Sequence, residues 1–208
     1  MSRWGVARAI CEAGRRLAER GLIAGAEGNI SARCGLHLLV TPAGRPKGAL
    51  EPADLVEVDG QGNPRGPGVP SSELGLHLVV LAARPDVGAV VHAHPPAATG
   101  FAAAGLPLDE DVLPELLAQF GSVPLVPYGT PGSPELGERV RPYVAGHDAL
   151  LLANHGAVTF GAEVEEAERR MESLEQGARI LLAARLLGGA RRLPPIEVEK
   201  LRAAWRKA

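Results

Sequence analysis

The segment Val90-Val91-His92-Ala93-His94-Pro95 places two imidazoles two residues apart in an apolar run. Along a strand, residues i and i+2 share a face, so His92 and His94 would stand side by side. Each could then reach one cation at about 2.0–2.1 Å. Without a cation, the pair has ring nitrogens to satisfy in an apolar setting, which costs free energy. The pair alone leaves two readings open, a metal site or a hydrogen-bonded pair of strand histidines. A third imidazole follows another apolar run, in Leu151-Leu152-Ala153-Asn154-His155-Gly156. It lies just past the carboxyl end of a predicted strand, where open α/β sheets commonly bind ligands. Three such histidines with no cysteine nearby look like a catalytic zinc site with an open position, since structural zinc more often recruits thiolates.

The carboxylate nearest in character is Glu73, in Pro70-Ser71-Ser72-Glu73. One reading is a carboxylate at the positive end of a helix dipole. Ser71 and Ser72 support the other, because a helix N-terminus with free N–H groups is a phosphate site. A phosphate cradle and a carboxylate would then lie together.

The elements that position these groups follow from periodicity. A first helix is predicted over Ser2–Arg20, with Val6, Ile10, Ala13 and Leu17 on one face and Gly21 as its stop. A glycine-rich turn, Gly25 to Asn29, leads into a strand over Ile30–Arg33, and His37–Val40 reads as its hairpin partner. Leu55–Val58 is a further strand, ended by Asp59-Gly60-Gln61-Gly62. Pro70–Glu73 opens a second helix, with Leu74, His77, Leu78 and Leu81 on one face and Arg84-Pro85 as its end. Then come a buried strand over Ala89–His94 and short helices near Ala97–Ala103 and Glu115–Phe120. Val123–Pro127 is strand-like but confined to an edge or irregular position by its prolines. Ser133-Pro134-Glu135 starts a helix, Ala149–Ala153 is an apolar strand, and a long helix spans Ala162–Leu187 before Gly188-Gly189. The tail from Pro195 is a final short helix. Helices around a block of strands, with no repeat or linker, point to one α/β domain over residues 1–208.

Composition narrows the function classes. Apolar residues make up 46% and aromatics only 3%, so Leu, Val and Ala must fill the core, which favours layered α/β packing. A formal charge of -2 offers no field to recruit nucleic acid or an anionic membrane. Lys47, Lys200 and Lys207 are the only lysines among 22 basic residues, and with abundant Ala, Gly and Pro this suggests a GC-rich coding sequence. Met1 leads straight into the first amphipathic stretch, so no signal peptide is expected. Apolar runs such as residues 79–83 are too short to span a bilayer. Cys11 and Cys34 make no disulfide framework and read as inert small residues. A cytoplasmic location is the expectation.

Five blocks together, Gly28-Asn29-Ile30-Ser31, Thr41-Pro42-Ala43-Gly44, Pro70-Ser71-Ser72-Glu73, Val91-His92-Ala93-His94 and Asn154-His155-Gly156, resemble the class II aldolase family, which shares its fold with the adducin head. They occur in the family's order, and their spacing is most like that of the fuculose-phosphate aldolases. The resemblance implies a three-layer αβα sandwich with a central, mainly antiparallel sheet. It also implies one Zn2+ per subunit on His92, His94 and His155, with Glu73 as fourth ligand or catalytic base. Gly28, Asn29, Gly44, Ser71 and Ser72 would cradle the substrate phosphate. A homotetramer with active sites at subunit interfaces is implied as well.

The activity so implied is reversible cleavage of a ketose 1-phosphate, such as L-fuculose 1-phosphate, to dihydroxyacetone phosphate and an aldehyde such as L-lactaldehyde. The reaction would pass through a metal-stabilised enediolate, with Glu73 exchanging a proton at C3. Two departures stand out. Leu113-Pro114-Glu115-Leu116 lacks the tyrosine that relatives carry, leaving Glu115 as a second acid/base or as a helix-start glutamate, and Ala26 replaces a hydroxyl residue of the phosphate loop. The sequence to Ala208 also lacks the tyrosine-bearing tail of some relatives; Tyr128, and less so Tyr143, would be the surrogate acid. His37, His77 and His147 read as surface or locally hydrogen-bonded residues. Arg191, Arg192, Arg202 and Arg206 read as a solvated face or subunit contact. The rival readings are a sugar-phosphate dehydratase of the methylthioribulose-1-phosphate type, a 4-epimerase on the same zinc site, and a non-catalytic adducin-like interaction module.

Overall fold

The computed structural model describes residues 2–108 and 111–205, so Arg206 of the arginine-rich tail lies outside the described residues. The strands are β1 (Asn29–Cys34), β2 (His37–Val40), β3 (Val56–Val58), β4 (Ala89–Ala93), β5 (Leu125–Val126), β6 (Ala149–Leu152) and β7 (Gly156–Gly161). The helices are α1 (Arg3–Glu19), α2 (Leu74–Ala83), α3 (Pro96–Ala103), α4 (Pro114–Phe120), α5 (Pro134–Val144), α6 (Val164–Leu186) and α7 (Pro195–Trp205). The strands form one sheet in the order β3-β2-β1-β4-β7-β6-β5. Each neighbouring pair is antiparallel except β5 with β6.

Alternation along the strands makes two apolar faces. Val91 and Leu151 turn to a core with Ile10 and Leu17 of α1, Phe101 of α3, and Met171 and Leu174 of α6. Their neighbours Val90 and Leu150 turn the other way, to Val80 of α2 and Val140 of α5. Helices therefore cover both faces, and the expected αβα sandwich with a mainly antiparallel sheet is the architecture observed. Among the described residues, no helix is long and apolar enough to cross a membrane.

Three local differences from the sequence reading concern the site. First, the sequence reading gives no element between His155 and the long helix, yet Gly156 starts β7, a fully buried strand between β4 and β6. The signal was present in Val158, Thr159 and Phe160, β-branched and aromatic residues bracketed by glycines. Second, α2 begins at Leu74, because Ser71 to Glu73 form a turn in which Leu74 N–H donates to Ser71 O at 3.1 Å. Third, of the proline-bounded run Leu125–Val126 alone joins the sheet, at its edge as the prolines dictate, while Val123 forms an isolated antiparallel bridge with Leu108.

The long helix α6 carries two buried carboxylates. Glu168 accepts both Arg16 Nε and Arg16 Nη2, tying α6 to α1, at 2.6 and 2.5 Å. Glu175 accepts from the backbone N–H groups of Ala97 and Ala98 at 2.9–3.1 Å and from Arg179 Nε at 2.7 Å. It thus takes up orphan donors at the start of α3, only three residues after His94. Replacing Glu175 with Ala leaves two buried N–H groups unpaired and should cost about 2–4 kcal/mol, whereas Gln should cost about half as much. Urea denaturation with an unchanged m-value checks both.

Candidate metal centre and active site

Strand β4 delivers His92 from within its ladder and His94 one residue past its end. His155 comes from the tight turn between β6 and β7. That turn needs a left-handed residue, supplied by Asn154 at φ 56, a conformation Asn tolerates better than most side chains. Behind it β7 runs so close that a Cβ on Gly156 would stand 2.5 Å from His94 Cδ2 and 2.6 Å from Ala93 O. Only glycine lets the turn bring His155 up to the pair.

The three ligand atoms lie within 4.8 Å of one another. His94 Nε2 is 3.2 Å from His92 Nε2. Glu73, the N-cap of α2, closes the group: Oε2 is 3.2 Å from His92 Nε2 and Oε1 is 3.2 Å from His155 Nε2. Ligand atoms about 2.0–2.1 Å from a shared tetrahedral ion lie about 3.3–3.4 Å apart, so these spacings suit one cation. The far ring nitrogens of His92 and His94 agree, whereas His155 Nδ1 is buried without a hydrogen bond among the described residues. His92 Nδ1 is 2.9 Å from Ala157 O, and His94 Nδ1 is 3.0 Å from Glu27 Oε2. Each Nδ1–H is therefore donated outward, leaving the Nε2 lone pairs to converge. Glu73 Oε1 is buried and makes no hydrogen bond among the described residues. A carboxylate oxygen and an imidazole lone pair facing each other without a proton between them are what a shared cation satisfies.

Electrostatics favours the same protonation states. Burial, helped by the neighbouring His92, pushes His155 down to about 4 and lowers His94 as well. Burial alone would raise the Glu73 pKa, but the hydrogen bond and charge of His92, then His155 and Asn29, lower it to about 2. At neutral pH His94 and His155 are thus neutral imidazoles and Glu73 an ionised carboxylate, the forms that ligate a metal.

The proposed cradle residues lie on three loops drawn together beside this group. Gly28 has φ +66, and a Cβ there would stand 2.8 Å from His92 O, so the first loop packs directly on the histidine strand. Gly44 has φ +66 with open space at its Cβ position. Its loop is bound to the Ser71 loop by a Pro42–Pro70 bridge and by hydrogen bonds Ala43 N to Val69 O and Ser71 N to Thr41 O. Ser71 is buried and Ser72 exposed. Asn29 is 2% exposed, with its side chain turned to Glu73, Nδ2 donating to Oε2 at 3.0 Å.

Sequence reasoning passed over three residues here. Lys47 is 2% exposed, and its ammonium donates to Ala26 O and Arg45 O at 2.7 and 2.8 Å, clamping two of the loops. Glu27 orients His94. His77, grouped with surface or locally bonded histidines, is fully buried and reaches Asn29 and Ser31. Only the rarity of lysine in this chain hinted at the first. His37 and His147 have the expected modest roles, near Glu57 and on Tyr143 O. Glu115 lines a cavity of about 360 Å³ between α4 and α6 with Leu116, Gln119 and Gln176, and the lining includes none of the three histidines. Tyr128 is half exposed, and Tyr143 packs against the α2–α5 core.

Known proteins share this architecture and these sequence blocks. The family profile described as class II aldolase and adducin N-terminal domain matches residues 8–182. The chain is 34% identical over 200 residues to a 5-methylthioribulose-1-phosphate/5-deoxyribulose-1-phosphate aldolase of Rhodospirillum rubrum, covering 96% of this chain and 90% of that protein. It is 37% identical over 164 residues to an L-fuculose phosphate aldolase of Methanococcus maripaludis, covering 79% and 89%. Among solved structures, an L-fuculose 1-phosphate aldolase superposes with a TM-score of 0.90 at 29% identity, covering 97% and 96%. With nearly the whole chain matched in both sequence and fold, this protein belongs to the class II aldolase and adducin N-terminal domain family.

Proposed function

We propose that the protein is a zinc-dependent aldolase that reversibly cleaves the C3–C4 bond of a ketose 1-phosphate, giving dihydroxyacetone phosphate and a short aldehyde. One observation carries the reading: an ionised carboxylate, Glu73, is held against three converging imidazoles with one oxygen free of hydrogen bonds. A scaffold module of the same fold has no use for such a group. Ketose 1-phosphates are named as substrates of the relatives above, which supports the substrate class; L-fuculose 1-phosphate, yielding L-lactaldehyde, remains the specific candidate.

His92, His94 and His155 would hold Zn2+, with Glu73 as the fourth ligand, and the donor set suits that ion. When bound, Zn2+ supplies Lewis-acid stabilisation of the negative charge that develops on the sugar oxygens. The chain itself does the rest. Gly28 and Gly44 present backbone at positive φ, and Ser71 and Ser72 add hydroxyls, so the three loops would grip the phosphate. Glu73 would move the proton at C3, delivering it after cleavage and removing it in condensation. An isolated carboxylate is a weak base for carbon, so its work depends on the carbon being acidified beside it. The cavity that Glu115 lines contains none of the four site residues, so it adds no support to the dehydratase reading.

Zinc-loaded protein should exchange deuterium from D2O into C3 of dihydroxyacetone phosphate, followed by NMR, and a chelator should abolish that exchange. An absence of exchange by zinc-loaded protein would rule the aldolase reading out. Glu73→Gln should lower the exchange rate by about 100-fold or more while metal analysis still finds zinc bound. His155→Ala should instead lose the metal itself.

A further inference from the structure

Behind Glu73 runs a chain of buried side chains that the reaction so far does not use. Asn29 Nδ2 donates to Glu73 Oε2 at 3.0 Å, and Asn29 Oδ1 lies 2.5 Å from His77 Nε2. His77 Nδ1 lies 2.7 Å from Ser31 Oγ. Ser31 and His77 are 0% exposed and Asn29 2%, so water does not complete these bonds. Two β1 residues and one α2 residue therefore lead into the N-cap of the same helix.

The protons in this chain are assigned by elimination. An ionised carboxylate only accepts, so the amide group facing Glu73 is the NH2. The amide oxygen then faces His77 and also only accepts, so His77 Nε2 carries the proton. A neutral imidazole has one N–H, which makes Nδ1 an acceptor and the Ser31 hydroxyl its donor. Neutrality is secured by complete burial, which outweighs the Glu73 carboxylate and pushes His77 down to about 3. With His77 neutral, every polar side-chain atom of Ser31, His77 and Asn29 finds one partner, and no second arrangement satisfies all of them.

We propose that His77 is a positioning residue: it holds the Asn29 amide with its NH2 turned to Glu73, and thereby sets the carboxylate against His92 and His155. This rests on the aldolase reading for its consequence in catalysis, but not for the geometry. Without His77 nothing fixes the amide. A flipped Asn29 would turn its oxygen on the Glu73 carboxylate and push it off the imidazoles.

Three measurements test this. In the wild-type protein, two-bond 15N–1H correlation of the His77 ring should show the Nε2–H tautomer; an Nδ1–H ring overturns the assignment, with no variant needed. His77→Leu should alter the visible absorption of the Co2+-loaded protein, and His77→Gln, which can donate to Asn29 and accept from Ser31, should restore it. That readout needs no turnover, so it stands even if the aldolase reading fails. For exchange into dihydroxyacetone phosphate, His77→Leu should lower kcat by about 10–100-fold with KM little changed. In an Asn29→Ala background the same substitution should cost less than about 2-fold. An unchanged Co2+ spectrum in His77→Leu, or losses that multiply fully in the double variant, would overturn the proposal.

Discussion

Four polar side chains point at one place in a largely apolar fold, and each can do so only because something holds it from behind. The backing differs for each: the Ala157 carbonyl for His92, Glu27 for His94, the Asn29 amide for Glu73, and a turn with a left-handed Asn for His155. Removing water from these groups is costly, and the surrounding architecture is the set of contacts that offsets the cost. Pairing of β4 with β7 matters doubly, since it places His92 opposite Val158 and puts the Ala157 carbonyl within reach of its ring.

The regular elements anchor the site, while much of its rim is irregular backbone. The loops bearing Gly28, Gly44 and Ser71 would be mobile if left alone, yet each is tied to a neighbour by main-chain bonds or by the Lys47 ammonium. Glu175 does the same for the exit of β4 by capping α3 from within α6. Long-range polar ties thus converge on the segments that flank the histidines, while the two apolar cores stabilise the layers. Stability and site geometry are carried by different interactions.

Much of this was legible in the sequence. The histidine pair, the third histidine and Glu73 could be singled out because strand parity and helix starts are local rules, and the five blocks implied the layered fold. The missed features are non-local. The strand that begins at Gly156 went unread because the reason for that glycine, the approach of β7 to His94, depends on a partner strand some sixty residues earlier. His77 read as one more residue of an apolar helix face because its partners, Asn29 and Ser31, lie on another element. Glu115 was singled out by its place in the chain, and the cavity it lines between α4 and α6 depends on the packing of two distant segments. Periodicity tells which way a side chain turns; it does not tell what is waiting there.

The Lys47 clamp has a consequence for how this sequence can drift. Nineteen of the 22 basic residues are arginines, as expected where nucleotide bias turns surface lysines into arginines at little cost. At position 47 that exchange is closed. A single nitrogen meets two carbonyls from different loops in a space 2% open to solvent, and a planar guanidinium spreads its donors across a wider fork. Mutational pressure thus runs against geometry at this position. In a chain so depleted of lysine, one that persists in the interior marks where backbone spacing has overruled base composition, a signal readable from a single sequence.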